Sequence, residues 1–393
     1  MFSVLTLNNI ARTGLDRFPR DRYLVGPDIP EPDAVMLRSA DLHGRVLPDS
    51  VKAVGRAGSG VNNIPVAELT ARGIPVFNAP GANANAVKEL VLAGMLIAAR
   101  NLAEAWSFAR GLEGDAEAVN QLAEQGKKQF AGFELPRRTL GVVGLGAIGV
   151  EVCNAAQALG MKVIGFDPQL TVQRAWQLSA SVQQALSLDD LVANSDFVTF
   201  HVPLNEHTRG LLNEARVRLL RTGAVVLNLA RSGIVDDDAL LEVLDAGRVH
   251  AYVTDFPSPR FAAHPRVIAF PHLGASTAEA EENCAVQVAD TLRDFLEQGN
   301  IRYSVNFPEA VLPPVPGGAR VVIANRNVPN MVGQITTAVA KRDHNIIDML
   351  NRSRGDHAWT VLDLEGLVSA ETLAMIRDID GVLSARVIGN EAS

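Results

Sequence analysis

The sequence predicts an α/β protein whose central domain is a doubly wound parallel sheet, and three observations support this fold class. Short apolar segments, each typical of a buried parallel strand, alternate with helical segments between residues 139 and 270. A glycine-rich turn, Gly144-Leu-Gly-Ala-Ile-Gly149, follows the first of these strands and begins a helix. An acidic residue, Asp167, ends the next strand. This order of strand, turn, helix and strand is typical of a dinucleotide-binding βαβ unit.

The first 83 residues predict a smaller parallel sheet that precedes the glycine-rich turn. Short apolar strands alternate there with polar connections and one helix, Val66–Arg72. The predicted strands are Ser3–Leu7, Ala34–Leu37, Val51–Val54 and Ile74–Phe77. A loop follows, and a long apolar helix at Ala86–Ala109 is expected to lead into the second domain.

Each glycine of the turn has a physical reason to be there. Gly144 permits the tight turn, Gly146 lets the backbone approach a pyrophosphate, and Gly149 lets the helix pack on the strand. The pyrophosphate would lie at the helix N-terminus, where free N–H groups and the helix dipole favour an anion. The carboxylate of Asp167 would bind the adenosine ribose hydroxyls and repel a 2′-phosphate, so we expect NAD rather than NADP.

Six strands are predicted for the second domain, near residues 141, 163, 198, 226, 252 and 268. The helices between them are predicted at Ile148–Leu159, Leu188–Ala193, Leu211–Leu219 and Asp236–Leu244. Ligands of doubly wound sheets bind at the carboxyl ends of the strands. The polar positions at those ends are His201, Asn228–Arg231, Asp255 and His272.

The remainder of the chain predicts a return to the first domain and then a separate tail. A long amphipathic helix is expected at Thr277–Leu296, and the segment Ile301–Gly318, rich in proline and glycine, has the composition of a linker. Beyond it the predicted order is βαββαβ, which is typical of a small ferredoxin-like domain. The predicted domains are a flavodoxin-like substrate domain made of two segments (1–83 and 275–305), a Rossmann nucleotide-binding domain (84–274), a linker (306–318) and the ferredoxin-like domain (319–393).

Composition narrows the class of protein. The net charge is −8 and no basic run of five or more residues occurs, so we expect no nucleic-acid partner. The two cysteines, Cys153 and Cys284, indicate neither a disulfide framework nor a metal site. The longest apolar span, Leu90–Ala99, is too short to cross a bilayer, and Met1–Arg12 lacks the pattern of a signal peptide. We therefore expect a cytoplasmic protein without a membrane partner.

Two residues at the predicted sheet edge suit the oxidation of a hydroxy acid. Such a reaction needs a cation for the substrate carboxylate and a group that takes the hydroxyl proton. Arg231 suits the first task because its planar fork binds a carboxylate through two parallel hydrogen bonds. His272 suits the second because histidine titrates near neutral pH.

Several segments carry a resemblance to a known family. They are Val54–Ile64, Asn78–Leu90, Gly144–Gly149, His201–Leu204, Thr208–Leu211, Asn228–Asp236 and Pro271–Thr277. With these motifs in this order, the chain resembles the D-isomer-specific 2-hydroxyacid dehydrogenases over essentially its whole length. Within the family, it is most similar to members that oxidise 3-phosphoglycerate at the head of L-serine synthesis.

The resemblance implies roles for individual residues. Arg231 would bind the substrate carboxylate and His272 would be the acid/base. The cofactor-binding residues that it implies are Gly144, Gly146, Ala147, Ile148 and Gly149 at the pyrophosphate, Asp167 at the ribose, His201 and Pro203 at the adenosine, and Leu229, Ala230, Arg231, Asp255, His272 and Gly274 around the nicotinamide half. The substrate-binding residues that it implies on the first domain are Ser59, Gly60 and Asn83 for the acid, and Arg38 and Arg56 for the phosphate.

One departure from the family pattern concerns the support of His272. The family has a Glu that hydrogen-bonds this histidine, whereas Pro259 or Arg260 stands at the corresponding place here. Three explanations remain open. Another carboxylate (Glu279, Glu281 or Glu282) replaces the Glu, His272 works without a carboxylate partner, or the catalytic role is lost. We expect an active enzyme, whose acid limb in the pH profile lies lower than in relatives that have the Glu.

The tail resembles an ACT domain, a small-molecule sensor. The resemblance implies L-serine binding by Asn325, Asn327 and Asn345, because amide side chains offer both donors and acceptors to a zwitterion. It also implies a homodimer or homotetramer, since such domains pair edge to edge between subunits. A packing domain without a ligand is the alternative interpretation.

Two other functions remain compatible with the sequence. One is another D-2-hydroxyacid dehydrogenase, such as a hydroxypyruvate or glyoxylate reductase, although Arg38, Arg56 and the tail argue against it. The other is an NAD-sensing binding protein that has kept the fold. Only the missing Glu supports this second alternative.

Overall fold

The computed structural model describes residues 1–261, 263–315 and 317–389. The chain divides into two compact units. The first unit contains residues 1–83 together with residues 278–393, and the second contains residues 84–277. The boundaries predicted for three domains and a linker remain predictions.

A five-stranded parallel sheet forms the first part of the first unit. Its strands lie in the order β2-β1-β3-β4-β5. The elements are β1 (Phe2–Leu7), α1 (Arg12–Leu15), β2 (Tyr23–Gly26), β3 (Ala34–Leu37), β4 (Ala53–Arg56), α2 (Val66–Ala71) and β5 (Val76–Phe77). The sequence did not indicate α1 and β2. Both are only four residues long, and only Tyr23 of the edge strand β2 is buried, so neither segment is long enough to show a periodic pattern.

The second unit contains a parallel sheet of seven strands in the order β12-β11-β10-β9-β6-β7-β8. The strands are β6 (Thr139–Val143), β7 (Lys162–Phe166), β8 (Gln183–Gln184), β9 (Phe197–Phe200), β10 (Ala224–Asn228), β11 (Val249–Thr254) and β12 (Val267–Ala269). Six strands were expected, and the additional β8 is an exposed edge strand of two glutamines. Strand order reverses at β6, as a doubly wound fold requires.

The helices of the second unit differ from the prediction at five places. They are α3 (Ala84–Ala99), α4 (Leu102–Arg110), α5 (Ala116–Gly126), the 3₁₀ turn Lys127–Phe130, α6 (Ala147–Ala158), α7 (Val172–Ala175), α8 (Leu188–Asn194), α9 (Glu214–Val217) and α10 (Asp237–Asp245). The predicted helix 86–109 is interrupted at Asn101, whose φ of 49° is left-handed. The predicted helix 211–219 is shortened because Leu212 pairs with Val235 as a β-bridge. Helices α5 and α7 and the 3₁₀ turn were not expected.

The rest of the first unit begins with α11 (Ala278–Gln298), which packs on the first sheet. A Cβ at Gly55 of β4 would come within 2.6 Å of Val288 of this helix. The tail, residues 318–388, then forms an antiparallel sheet in the order β14-β15-β13-β16. Its elements are β13 (Gly318–Arg326), α12 (Met331–Ala340), β14 (Ile346–Arg354), β15 (His357–Glu365), α13 (Ala370–Arg377) and β16 (Val382–Ile388). The predicted βαββαβ order and the α/β fold class are confirmed.

One hydrophobic core joins the tail to the rest of the first unit. Phe77 of β5, Phe295 of α11 and Trp359 of β15 belong to the same buried cluster. The indole Nε1 of Trp359 donates to the carbonyl of Gly299 at 3.0 Å. Large apolar burial of this kind favours a fixed attachment of the tail over a loose one.

A buried ion pair strengthens the same attachment. The guanidinium of Arg320 donates to both carboxylate oxygens of Asp363, at 2.6 and 2.7 Å. It also donates to the carbonyls of Gln298, Leu312 and Pro313 at 2.8 to 3.0 Å. Buried charges are tolerated when they are paired and hydrogen-bonded in this way.

No helix among the described residues is long and apolar enough to span a membrane. The same part of the chain contains no group of three or more His, Cys, Asp or Glu residues that could hold a metal ion.

Candidate active site

The glycine-rich turn lies between β6 and α6, and two of its three glycines are required by the fold. Gly144 has φ of 91°, and a Cβ there would come within 2.7 Å of the carbonyl oxygen of His201. A Cβ at Gly149 would overlap the carbonyl oxygen of Gly144. Any side chain at either position would therefore force the turn away from the sheet or the helix.

Gly146 is different, because the protein itself does not require a glycine there. Its φ is −71°, and no atom lies within 4 Å of a Cβ built on it. The open space lies at the start of α6, where Gly146 is the N-cap and has no side chain to cap the helix. The N–H groups of Ala147 and Ile148 precede the first helical hydrogen bond, from Val150 to Gly146. A bound anion would use this space and these donors, so the turn fits a pyrophosphate.

Asp167 forms a hydrogen bond with the backbone of the glycine-rich turn. Its Oδ2 accepts from the backbone N–H of Leu145 and its Oδ1 from that of Gln169, both at 2.8 Å. A cavity of about 570 Å³ lies beside it, with Phe166 and Pro168 among the lining residues. This arrangement places a carboxylate in the wall of a pocket of the size that a nucleoside needs.

His201 and Pro203 follow β9 but do not line the cavity beside Asp167. Nε2 of His201 lies 3.0 Å from Oγ1 of Thr199, and its buried Nδ1 has no hydrogen-bond partner among the described residues. Burial lowers the pKa of His201 to about 3, so the ring stays neutral. Pro203 is exposed and its carbonyl accepts from the hydroxyl of Thr208.

Arg231 lies in the loop after β10, and Asn228 at the end of that strand shapes the loop. The Asn228 amide donates to the carbonyl of Arg231 at 2.9 Å and accepts from the N–H of Ala230 at 3.3 Å. The guanidinium of Arg231 donates to the carbonyl of Ala230 at 2.6 Å. No carboxylate among the described residues of this unit pairs with it, and burial lowers its pKa. Arg231 is thus a half-buried cation with spare donors.

His272 follows β12 in a loop that a buried carboxylate holds. The two oxygens of Asp255 accept from the N–H groups of Leu273 and Gly274, each at 2.7 Å. The N–H of His272 itself donates to the carbonyl of Asp255 at 3.1 Å, and its φ is 57°. Asp255 therefore holds the loop in a left-handed conformation that few non-glycine residues adopt. The sequence indicated that Asp255 is important but not this contact with the loop.

The ring of His272 is exposed and packs against Phe256, with the ring centroids 5.2 Å apart. Within the described residues of the second unit no carboxylate contacts this ring. Arg260, near the position of the family's Glu, instead pairs with Asp238 of α10. His272 accordingly stands without a carboxylate partner from its own unit.

Several residues expected to bind substrate come together in the first unit. Arg38 directly follows β3 and Arg56 ends the neighbouring strand β4, and Nε of Arg56 donates to the carbonyl of Arg38 at 3.0 Å. Nη1 of Arg56 donates to the carbonyl of Gly60 at 2.8 Å. Nη2 of Arg38 pairs with Oε1 of Glu281 on α11 at 2.6 Å. Sequence reasoning considered Glu281 only as a partner for His272 and missed this ion pair.

Asn83 and the loop at Ser59 complete this group. The Asn83 side chain is buried, and its Oδ1 has no hydrogen-bond partner among the described residues. The carbonyl of Ser59 accepts from the amide of Asn78 at 2.6 Å. Asn78 thus shapes the loop at Ser59. Nothing in the sequence indicated this hydrogen bond.

The three asparagines expected to bind an effector are engaged within the tail. Asn325 is buried, donates to the carbonyl of Arg326 at 2.8 Å, and accepts from the hydroxyl of Thr360 at 3.3 Å. Asn327 donates to the carbonyl of Gly355 at 3.0 Å. Asn345 lies 3.4 Å from Oε2 of Glu365. Serine binding by these residues remains a prediction.

Comparison with known proteins places this geometry in a family. Residues 92–274 match the family model described as "D-isomer specific 2-hydroxyacid dehydrogenase, NAD binding domain". A D-3-phosphoglycerate dehydrogenase of Haemophilus influenzae is 33% identical over 347 residues, which cover 86% of this chain and 81% of that protein. The chain belongs to the D-isomer-specific 2-hydroxyacid dehydrogenase family.

Other members of the family differ from this chain in length. A D-3-phosphoglycerate dehydrogenase of Synechocystis is 36% identical over 289 residues, or 71% of this chain and 50% of that protein. The chain therefore spans about half the length of several curated relatives that it matches.

Solved structures show the same fold. The TT0316 protein from Thermus thermophilus is 26% identical and matches with a TM-score of 0.62, over 77% of this chain and all of that chain. The apo D-mandelate dehydrogenase of Rhodotorula graminis is 23% identical and matches with a TM-score of 0.66, over 80% of this chain and 99% of that chain.

Proposed function

We propose that this member of the family is an NAD-dependent D-3-phosphoglycerate dehydrogenase. It would oxidise 3-phospho-D-glycerate to 3-phosphooxypyruvate, the first step of L-serine synthesis, in the cytoplasm, where charged phosphorylated metabolites are retained. The observation that carries the proposal is Arg231, a half-buried cation with spare donors at the sheet edge where the His272 loop also begins. The activity named for the Haemophilus influenzae relative supports the choice of substrate.

NAD is the proposed cofactor because the glycine-rich turn fits a pyrophosphate. The N–H groups of Ala147 and Ile148 would bind the phosphates, and Asp167 would bind the adenosine ribose, with His201 and Pro203 near the adenine. Leu229, Ala230, Asp255 and Gly274 would surround the nicotinamide half. When bound, NAD accepts a hydride from the carbon that carries the substrate hydroxyl.

The substrate has two anionic ends, and the proposed residues differ between them. Arg231 would bind the carboxylate with the donors that no carboxylate in the described part of its unit uses, and Ser59, Gly60 and Asn83 would orient the acid. Arg38 and Arg56 would bind the phosphate, because a dianion needs more than one charge-assisted donor. Arg38 also pairs with Glu281, so its guanidinium would have to donate some of its N–H groups to the phosphate instead of to Glu281.

His272 would take the hydroxyl proton on a ring nitrogen. The buried Asp255 supports this role through the backbone, since it fixes the loop on the C-terminal side of His272. Because no carboxylate among the described residues of the same unit contacts the ring, the ring itself is less constrained than the loop. Backbone positioning is therefore the means by which this chain orients its proton acceptor.

The tail supports two further parts of the proposal, assembly and regulation. Strands β14 and β16 lie at the edges of its antiparallel sheet, and edges of this kind pair between copies of a chain. A homodimer or homotetramer is proposed on this basis. L-serine, bound near Asn325, Asn327 and Asn345, is the proposed effector.

One assay tests the activity. NADH formation from 3-phosphoglycerate is followed by absorbance, with and without serine, beside NADH consumption with hydroxypyruvate and glyoxylate. We expect turnover of 3-phosphoglycerate and a loss of about 10²- to 10⁴-fold in the His272→Asn variant, the range for a general acid/base. The matched control His264→Asn alters another histidine of the second unit and should keep full activity.

Each contrary result has a distinct meaning. NAD binding without turnover would favour the NAD-sensing alternative, and preference for glyoxylate would favour another dehydrogenase of the family. Turnover that His272→Asn leaves intact would disprove the role of His272. A rate that serine does not change would contradict only the regulatory part.

A further inference from the structure

A basic cavity lies within the first unit, between the parallel sheet and the tail. Its volume is about 400 Å³. Residues from the loop after β3 and from the turn before β5 form one wall, and residues of α13, β15 and β16 form the other. Phe295 and Trp359 are part of an apolar side of the cavity. None of the residues predicted to bind substrate, cofactor or serine lines it.

Positive charge dominates the lining. The charged residues are Lys52, Arg72, Arg377 and Arg386, with Asp49 as the only acid in the lining. Asp49 is fully exposed and lies 3.4 Å from Arg72, so water screens that pair. Lys52 pairs with Asp33. Three arginines therefore supply an excess of positive charge.

Backbone carbonyls hold these arginines in place without neutralising them. Arg377 donates twice to the carbonyl of Ala385, at 2.8 and 3.0 Å. Arg72 donates to the carbonyls of Leu47 and Pro48 at 3.2 and 3.1 Å. A guanidinium has five N–H donors, so each retains donors beyond those that its carbonyl acceptors use.

Arg386 is the least satisfied of the three. Its Nη atoms donate to the carbonyls of Phe295 and Leu296, and its guanidinium lies 4.4 Å from the centre of the Phe295 ring. Its Nε is buried and has no hydrogen-bond partner among the described residues. Burial lowers the pKa of Arg386 to about 10, and the neighbouring Asp33 and Tyr23 offset only part of that effect. A buried donor without an acceptor is costly unless a ligand supplies one.

We propose that this cavity binds a small metabolite with a doubly charged oxyanion group, a phosphate or a pair of carboxylates, and that the bound anion links the tail to the parallel sheet. Arg72 contributes from the sheet side and Arg377 and Arg386 from the tail side, so one anion contacts both. The apolar side at Phe295 and Trp359 accommodates the carbon skeleton. Binding there stabilises the attached tail by mass action, because a detached tail lacks half of the site.

Calorimetric titration of the full chain in a sulfonate buffer tests the proposal, with inorganic phosphate in one arm and malonate in the other. We expect saturable binding in at least one arm, and the arm that binds distinguishes the two oxyanions. Arg377→Gln and Arg72→Gln should each weaken it by at least about 10-fold, the effect of losing one charge-assisted hydrogen bond. Glutamine keeps a donor for the carbonyls, and circular dichroism verifies the fold of each variant.

Two control variants separate this cavity from other sites. Arg342→Gln removes an equal charge from the tail at its pair with Glu371, outside the cavity, and should leave binding unchanged. Arg56→Gln alters the proposed substrate site and should also leave this binding unchanged. Three outcomes would each overturn the proposal. They are loss of phosphate binding in Arg56→Gln alone, equal losses in all four variants, and no saturable binding of either anion.

Discussion

Arg320 in the tail is buried and Arg231 in the second unit is half-buried, and their hydrogen-bond partners differ. Arg320 has a bidentate carboxylate, Asp363, and three carbonyl acceptors. The hydrogen bond described for Arg231 goes to one neutral carbonyl. A cation that serves structure has its donors used within the chain, whereas one that serves binding keeps donors free for a ligand. The difference separates two residues that look alike in sequence.

The largest expected effect is a loss of stability when the carboxylate partner of Arg320 is removed. Asp363→Asn leaves the buried charge of Arg320 without a counterion and should lower the free energy of unfolding by about 3–5 kcal/mol. Urea unfolding followed by circular dichroism measures this. Asp380→Asn is the matched control, since its pair with Arg326 is exposed, and it should cost less than about 1 kcal/mol. Equal losses in the two variants would contradict a special role for the buried pair.

The second test addresses Arg231. Arg231→Ala should lower kcat/KM for 3-phosphoglycerate by roughly 30- to 1000-fold, about 2–4 kcal/mol, because the substrate carboxylate loses its partner. The free energy of unfolding should stay within about 1 kcal/mol of the wild type, unlike that of Asp363→Asn. Arg248→Gln changes an arginine that donates to the carbonyls of Arg218 and Leu220, and serves as control. An unchanged kcat/KM in Arg231→Ala would show that Arg231 does not bind the substrate carboxylate.

The smallest effect extends the comparison to histidines, since His201 is partly buried and His272 is exposed. The folded chain holds His201 neutral with a pKa of about 3, while the unfolded chain protonates it near pH 6.5. Its contribution to stability is thus present above pH 6.5 and is lost as the pH falls from there toward 3, by about 1.4 kcal/mol per pH unit.

His201→Gln should flatten this part of the stability curve. Urea unfolding between pH 7 and 5 measures the slope for the wild type, for His201→Gln and for the control His264→Gln. The slope should decrease only in the first variant. An identical slope in all three proteins would show that His201 is not held neutral by the fold.

Much of the fold could be predicted because its signals are local. The spacing of Gly144, Gly146 and Gly149 after a short apolar strand reports backbone requirements of the turn itself, and the structure places Gly144 at positive φ. The buried parallel strands are continuous apolar segments. By contrast, β8 is two glutamines and β2 is only four residues long, so no periodic pattern distinguishes either from a loop.

The contacts that define the candidate sites depend on the tertiary fold and could not be predicted. Arg38 and Glu281 are separated by most of the chain, yet they pair because α11 packs on the first sheet. Leu212 appeared helical, but a bridge to Val235 satisfied its backbone instead. Residue type identified Arg231, His272 and Asp255 as candidates. Only the tertiary structure shows that the carboxylate of Asp255 holds a loop through its backbone N–H groups.

Trp359 gives the attachment of the tail an optical signature. It is 2% exposed, whereas the other two tryptophans, Trp106 and Trp176, are 63% and 85% exposed. Fluorescence of the native chain should thus combine one blue-shifted emitter that iodide cannot quench with two red-shifted emitters that it can. Because Trp359 packs against Phe295 and Phe307, release of the tail would expose it and shift its emission to the red. Motion of the tail can therefore be followed in solution without an added label.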